Sequence, residues 1–229
     1  MSKKYEKFKT YLKKIGSGEF TGKSLTREES AEATKLILKE EASPAQIGAF
    51  MIAHRIRRPT PEELAGMIDA YLELGPTILS PRAHRRPIFF GMPFDGRNKT
   101  APVYPLTILL LLTQKQPVIL HGSSRMPVKY GICHNELFQA LGINLTGLSV
   151  KKLQSFFNDH ELALIHQPDH FPLAENLITY RDQIGKRPPL SSMELIWTCH
   201  QGDHLHISGY VHFPTEERHW KTLELMGER

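Results

Sequence analysis

Cysteine is scarce. Cys133 and Cys199 are the only two among 229 residues, and neither belongs to a Cys-x-x-Cys pair. That excludes a disulfide framework and a standard zinc clip, and it fits a reducing compartment. Long apolar runs are missing too: none is longer than Ile108 to Leu112, which falls far short of the roughly 20 residues that a membrane span needs. The opening Met1-Ser2-Lys3-Lys4-Tyr5 leads into charged sequence instead of the apolar stretch of a secretory signal, so the expected location is the cytoplasm. There is no internal repeat and no low-complexity tract. Net charge is small as well. Lys and Arg number 29 against 24 Asp and Glu, a formal +5 with a pI near 9.1. The sign favours anionic partners, but the magnitude does not separate phosphorylated metabolites from nucleic acid. What is present is an ordinary globular composition, 40% hydrophobic and 23% charged, enough to bury a core.

The first eighty residues carry helix signals with no strand pattern between them. Phe8, Leu12 and Ile15 recur at helical spacing, and Gly16 and Gly18 follow as stops. Thr26-Arg27-Glu28-Glu29 reads as a capping box, because the threonine oxygen accepts from the third helical amide while Glu29 reaches back. The helix behind it should run to about Glu40. Ser43-Pro44-Ala45-Gln46 opens a third helix, whose apolar face is Ile47, Phe50, Met51 and Ile56. Thr60-Pro61-Glu62-Glu63 repeats the device for a fourth, through Leu64, Met67, Ile68 and Leu72 to about Gly75-Pro76.

From Pro87 the pattern alternates. Ile88–Phe90, Pro117–Leu120, Leu162–Ile165 and Leu205–Val211 read as strands; Val103–Leu112, Asn135–Leu141, Val150–Phe157 and Thr215–Met226 read as helices. Such alternation argues an α/β fold, with a small all-helical N-terminal bundle followed by a mostly parallel, helix-covered sheet. The expected division is a helical domain over residues 1–80, a Pro- and Arg-containing hinge over 81–87, and an α/β domain over 88–229.

The segment LTREESAEATKLILKEEASPAQIGAFMIAHRIRRPTPEELAGMIDAYLEL from Leu25 to Leu74, then HGSSRMPVKYG, ELFQALGINL and HFPLAENLITYRDQIGKR in that order, resembles the anthranilate phosphoribosyltransferase family of glycosyltransferases. The closest likeness is to a divergent branch of it, some of whose members are thought to bind nucleic acid. The resemblance implies a homodimer formed through the N-terminal helices, a phosphoribosyl diphosphate site with Mg²⁺ in the α/β domain, and an aromatic acceptor between the two domains. The family's metal carboxylates fall in a later Asp-Glu segment that has no counterpart here, so the resemblance assigns no metal ligand to this sequence.

Ribosyl transfer from a diphosphate needs amides and cations for the departing pyrophosphate. The family supplies the amides from a Gly-Thr-Gly-Gly-Asp-Gly turn. The matching stretch is Gly91-Met92-Pro93-Phe94-Asp95-Gly96-Arg97-Asn98-Lys99. Gly91, Asp95 and Gly96 hold their places, while Pro93 removes one amide donor and Phe94 puts a ring where phosphate approaches. The family's Asn-x-Ser-Thr has become Ala101-Pro102-Val103-Tyr104. Arg97 and Lys99 add positive charge. Both a working phosphate cradle, with activity weakened or lost, and a plain strand-to-helix turn with solvated cations fit these residues.

By the same resemblance, His121, Gly122 and Ser123 lie near acceptor and ribose, Lys129 belongs to a phosphate-facing segment, His170 starts a His-Phe-Pro equivalent of the family's His-His-Pro, and Arg181 takes the acceptor's carboxylate. An arginine suits that task because its planar fork makes two parallel bonds. Cys199, His200, His204 and His206 are ligand types close in sequence, but their spacing matches no zinc motif and they read as surface histidines. Two basic clusters, residues 54–58 and 82–86, keep open a second reading, a non-catalytic dimer that binds nucleic acid or another polyanion.

Overall fold

The computed structural model describes residues 3–18, 20–82, 85–91, 96 and 98–228. Four helices come first: α1 (Lys3–Gly16), α2 (Arg27–Leu38), α3 (Pro44–Arg57) and α4 (Pro61–Leu74). Then follow β1 (Ile88–Gly91), α5 (Tyr104–Thr113), β2 (Val118–Gly122), α6 (His134–Ala140), α7 (Val150–His160) and β3 (Leu162–His166). Four short helices come next: α8 (Gln167–His170), α9 (Pro172–Glu175), α10 (Ile178–Ile184) and α11 (Leu190–Met193). The chain closes with β4 (Leu205–Ser208) and α12 (Phe213–Leu225). A helical N-terminal part thus precedes a parallel four-stranded sheet with helices, as the sequence pattern requires.

The chain forms two compact units that do not follow its linear order. One comprises residues 1–74, 176–196 and 210–229, and the other residues 75–175 and 197–209. Helices α10, α11 and α12 therefore belong with α1–α4.

In the helical unit the capping boxes form as read. Thr26 and Glu29 cap α2, and Ser43 and Gln46 cap α3. At α4, Thr60 Oγ1 accepts from the Glu63 amide at 3.2 Å while Glu63 Oε2 accepts from the Thr60 amide at 2.8 Å. Helices α2 and α4 cross closely at Gly66, where a Cβ would sit 2.8 Å from Ser30 Cβ and 2.9 Å from the Ala31 nitrogen, so any side chain would force them apart. Arg27 locks the crossing with a two-pronged bond to Asp69, at 2.6 and 2.7 Å. The α3 face differs from the sequence reading. Ile47, Phe50, Met51 and His54 are buried, whereas Ile56 is 76% exposed, because nine residues at 100° each place it opposite Ile47.

In the α/β unit the sheet order is β3-β2-β1-β4, with every pairing parallel. Ile88 pairs with Val118, Val118 with Leu162, and Gly91 with Ser208. Strands β1, β2 and β3 are buried along their whole length, as expected of a parallel sheet covered on both faces. One face packs Ile88, Phe90, Val118, Leu120, Leu162 and Leu164 against Ile108 of α5 and Phe138 of α6. On the edge strand β4, Leu205 and Ile207 are about half exposed. Parallel neighbours require crossover helices, and the apolar α5 and the pair α6, α7 supply them.

Candidate functional site

Strand succession runs outward from β1 through β2 to β3, then returns to place β4 on the other side of β1. The connections on either side of β1 therefore diverge between β1 and β4, and in open parallel sheets ligands bind outside the carboxyl ends at such a switch point. Gly91 and Ser208 end the two strands there, in register.

The loop leaving β1 is the sequence-predicted cradle. Pro93, Phe94, Asp95 and Arg97 lie outside the described residues. Gly96 is described, and its surroundings are tight. Its φ is +71°, and a Cβ would fall 2.5 Å from the carbonyl oxygens of both Gly131 and Ile132. Only glycine meets both demands without strain. Two residues on, Asn98 Nδ2 donates to the Lys129 carbonyl at 3.2 Å. Gly96 and Asn98 are thereby fastened to the segment after β2, one against Gly131 and Ile132 and the other against Lys129. Lys99 is exposed and Lys129 half-buried.

His121, Gly122 and Ser123 follow at the end of β2. His121 is wholly buried, its ring centroid 4.9 Å from that of Phe89 and 5.5 Å from that of Trp197. Burial holds its pKa well below the usual histidine value, and the neighbouring His134 and His206 lower it further. It is a neutral ring at physiological pH, not a surface cation. Gly122 is closely approached by His134, whose Cδ2 would lie 3.0 Å from an added Cβ. Ser123, also buried, donates to Glu175 Oε2 at 2.8 Å, and the same carboxylate accepts from Gln167 Nε2 at 3.2 Å.

His170 spends both ring nitrogens on the main chain. Nδ1 accepts from the His166 amide at 2.9 Å, and Nε2 donates to the Leu148 carbonyl at 2.9 Å. Burial lowers its pKa, so this neutral form is stable. Arg181 is on α10, in the helical unit. It is buried, with Nη1 3.9 Å from Glu194 Oε2, and Tyr71 Oη donates to the other oxygen of that carboxylate at 3.2 Å.

His166 at the end of β3 and Asp169 in α8 escaped the sequence reading. His166, the last residue of β3, contacts Asp169 Oδ2 through Nδ1 at 2.7 Å and faces Ser124 Oγ through Nε2 at 3.4 Å. The available signal was a histidine closing an apolar strand, three residues before an aspartate, but a strand pattern says nothing of which loop its last side chain meets.

Among the described residues no group of three or more His, Cys, Asp or Glu side chains is arranged to hold a metal ion. Cys199 and His200 are buried, with His200 Nδ1 3.2 Å from the Ile78 carbonyl oxygen, and His204 Nδ1 lies 3.0 Å from the Gly202 carbonyl oxygen. The surface reading thus fails for His200, which forms an isolated parallel bridge with Ile78 and turns its ring to the carbonyl of that residue. The basic clusters fall in different units. In the helical unit Arg55 donates to the Arg187 carbonyl at 2.6 Å, and Arg57 to the Lys23 carbonyl and to Ser24 Oγ. In the α/β unit Arg82 pairs with Glu161, and Arg85 donates to the carbonyls of Gln114 and Lys115.

Residues 9–75 match the helical bundle domain of the glycosyl transferase family. The anthranilate phosphoribosyltransferase of Methylocella silvestris is 29% identical over 167 residues, 73% of this chain and 46% of its own length. The chain spans about half to three fifths of the length of the curated relatives it matches. The anthranilate phosphoribosyltransferase of Thermus thermophilus superposes with a TM-score of 0.78 at 20% identity, over 96% of this chain and 64% of that one. The Saccharomyces cerevisiae enzyme, in complex with phosphoribosyl diphosphate (PRPP) and Mg, superposes with a TM-score of 0.75 at 15% identity, over 96% and 62%.

Proposed function

We propose that this chain, anthranilate phosphoribosyltransferase-like in sequence and fold, binds phosphoribosyl diphosphate at the carboxyl ends of β1 and β2 and passes the phosphoribosyl group slowly to an aromatic acceptor. The observation that carries it is the fastening of the β1 loop, through Gly96 and Asn98, to the segment holding Lys129. Glycine-lined backbone and two lysines then stand beside the switch point of a parallel sheet, where a diphosphate gains most from amides and fixed positive charge. As the acceptor bonds to the ribose C1, the C1–O bond breaks and its electron pair leaves with the diphosphate. Lys99 and Lys129 stabilise that departing charge. Pro93 offers no amide hydrogen to it, which is why the rate is expected to be low.

The remaining residues take roles that suit their surroundings. Buried and neutral, His121 shapes the floor under the β2 end, while Gly122 lets His134 approach. Ser123 and His170 are positioning residues, one tied to Glu175 and the other to the main chain. Arg181 is the proposed partner of an acceptor carboxylate, for which Glu194 competes. In the yeast relative phosphoribosyl diphosphate is accompanied by Mg. Magnesium is proposed to enter here with the diphosphate, as its counter-ion. The proposal includes a homodimer formed through the N-terminal helices.

Isothermal titration with phosphoribosyl diphosphate and Mg²⁺ tests the donor assignment. Binding should be measurable at or below about 1 mM, equivalent to roughly −4 kcal/mol, and Lys99→Gln or Lys129→Gln should weaken it several-fold. No heat at millimolar donor removes the assignment.

A second reading rests on Arg55 and Arg57, which donate to carbonyl and hydroxyl oxygens and, among the described residues, form no ion pair with a carboxylate. On this reading the protein is a dimer that binds nucleic acid or another polyanion without catalysis. Filter binding across a salt series decides it, since affinity should fall with a log–log slope of roughly −0.7 to −0.9 for each phosphate neutralised.

A further inference from the structure

The proposed donor site leaves unused a second constellation, at the carboxyl ends of β2 and β3. Ser124 lies two residues beyond β2 and is exposed, whereas His166 at the end of β3 is only 6% exposed. Ser124 is therefore accessible from solvent while the imidazole beside it is shielded. With its Nδ1–H given to Asp169 Oδ2 at 2.7 Å, His166 keeps a lone pair on Nε2, directed at Ser124 Oγ 3.4 Å away. A separation slightly beyond an ideal hydrogen bond is common between nucleophile and base before substrate binds.

Asp169 is itself held in place. Its Oδ2 accepts the Gly147 amide at 2.7 Å. One residue on, His170 binds the His166 amide and the Leu148 carbonyl, each at 2.9 Å. Four hydrogen bonds thus fix the base and its orienting carboxylate against the loop at 147–148. Burial pushes the Asp169 carboxyl up, but the Gly147 amide and the His166 ring pull it down by more, to below the usual range. It is ionised at neutral pH and can support a cationic imidazole.

We infer that Ser124, His166 and Asp169 form a nucleophile relay that takes the acyl group from small activated esters, an activity separate from phosphoribosyl transfer. Hydroxyl, base and orienting carboxylate meet the geometric definition of such a relay, which does not depend on chain order or fold. The Ser124 Oγ–H proton passes to His166 Nε2 as Oγ bonds to the ester carbonyl carbon. The adduct collapses, the carbon–oxygen bond to the alcohol breaks, and the alcohol takes the proton from Nε2. Water then gives its proton to Nε2 and attacks the acyl carbon. Ser124 leaves with that proton, so the sum is ester plus water to acid plus alcohol. Ser124 and His166 are the catalytic residues and Asp169 a positioning residue. The exposure of Ser124 favours compact aryl esters with good leaving groups.

The full chain is treated with a fluorophosphonate probe and, separately, with p-nitrophenyl acetate. A phosphonyl adduct that peptide mass spectrometry places on Ser124 is the expected result, together with steady release of p-nitrophenol. Ser124→Ala, a change at an exposed position that should leave circular dichroism unaltered, abolishes the adduct and returns hydrolysis to the level of the denatured chain. His166→Gln slows labelling about 10³-fold or more, and Asp169→Asn slows it by about 10²-fold or more across the pH range, because it reverses the tautomer that presents Nε2. An unlabelled Ser124 in folded protein overturns the inference, as does an esterase rate that survives Ser124→Ala. Neither measurement involves phosphoribosyl diphosphate, so its outcome is independent of the donor titration.

Discussion

Replacing Gly96 with alanine tests whether the β1 loop is clamped as the donor site requires. At φ +71° a side chain adds about 1–2 kcal/mol of left-handed strain. The new Cβ would lie 2.5 Å from two carbonyl oxygens and 2.6 Å from the Gly131 carbonyl carbon, where ordinary contact begins at 3.4 Å. About 0.9 Å of movement, 3.4 less 2.5, must come from backbone, since no flexible side chain stands in the way. Overpacking of that kind costs about 1–3 kcal/mol, so the total is about 2–5 kcal/mol. Loss of the loop's seat should also weaken phosphoribosyl diphosphate binding tenfold or more.

The two tryptophans allow the cost to be measured in the right unit. Trp197 is 1% exposed in the α/β unit, and Trp220 is 58% exposed in the helical unit. In a Trp220→Phe background, the red shift of Trp197 fluorescence in urea follows unfolding of the α/β unit, with the donor titrated in parallel. Gly96→Asn sharpens the result. Asparagine tolerates positive φ, so if dihedral strain were the whole effect it would restore stability, whereas the Cβ clash predicts that it fails like alanine. Wild-type stability and donor affinity in Gly96→Ala would refute the clamp, and the site built on it.

In the helical unit, Glu63 is fully buried and accepts from the amides of Leu25 and Thr60, both at 2.8 Å, with His54 Nε2 at 3.2 Å. Glu63→Ala should cost about 3–5 kcal/mol in urea unfolding because it strands buried donors, and Glu63→Gln, which keeps an acceptor, should cost clearly less. Burial raises the Glu63 pKa, but His54 and the two amides lower it by more, to below 4.5. The stability it contributes is present above that pH and lost as pH falls through the folded-state value, so thermal melting of the helical unit should weaken in acid and Glu63→Gln should remove part of that dependence. In the α/β unit, burial lowers the pKa of His121, His170 and His200 from the ordinary 6.5. Unfolding therefore takes up protons as pH drops through that value, and the Trp197 transition should move to lower urea at about pH 5.5 than at about pH 7.5.

Local chemistry accounts for what was legible in advance. Each N-terminal helix begins with a hydroxyl residue followed three positions later by Glu or Gln, or with a clear apolar period, and both signals act within one turn. The strands were legible because β1, β2 and β3 are buried on both faces and read as unbroken apolar runs. What failed depends on distant neighbours. An amphipathic segment at 213–225 announces a face to bury but not that α4 will cover it. Helices α8–α11, of four to seven residues, are too short for a hydrophobic period to repeat over the window in which it can be read. His54 reads as part of a basic run, yet it is buried with Glu63, a residue the sequence shows only as a cap. In the site, Gly96 was legible by its residue type, whereas the engagement of His170 with the main chain and the pairing of Ser124 with His166 arise from loops that meet only in the folded sheet.

The carboxyl edge of this sheet divides by chemistry. After β1 and in the Lys129 segment it offers bare backbone and lysines, groups that stabilise an anion. Around β2 and β3 it offers an acid–base pair with a hydroxyl, groups that move protons. The divide falls between two adjacent serines: Ser123 is buried on Glu175, while Ser124 is exposed beside His166. Ribosyl transfer from a diphosphate needs no nucleophile of the protein's own, because the acceptor itself bonds to the ribose C1 as the diphosphate leaves with the electron pair. The relay at β2 and β3 is consequently surplus to the donor reaction. A base and an orienting carboxylate held in order by four hydrogen bonds without serving that reaction call for a separate chemistry, and ester hydrolysis at Ser124 is the one their proton path supports.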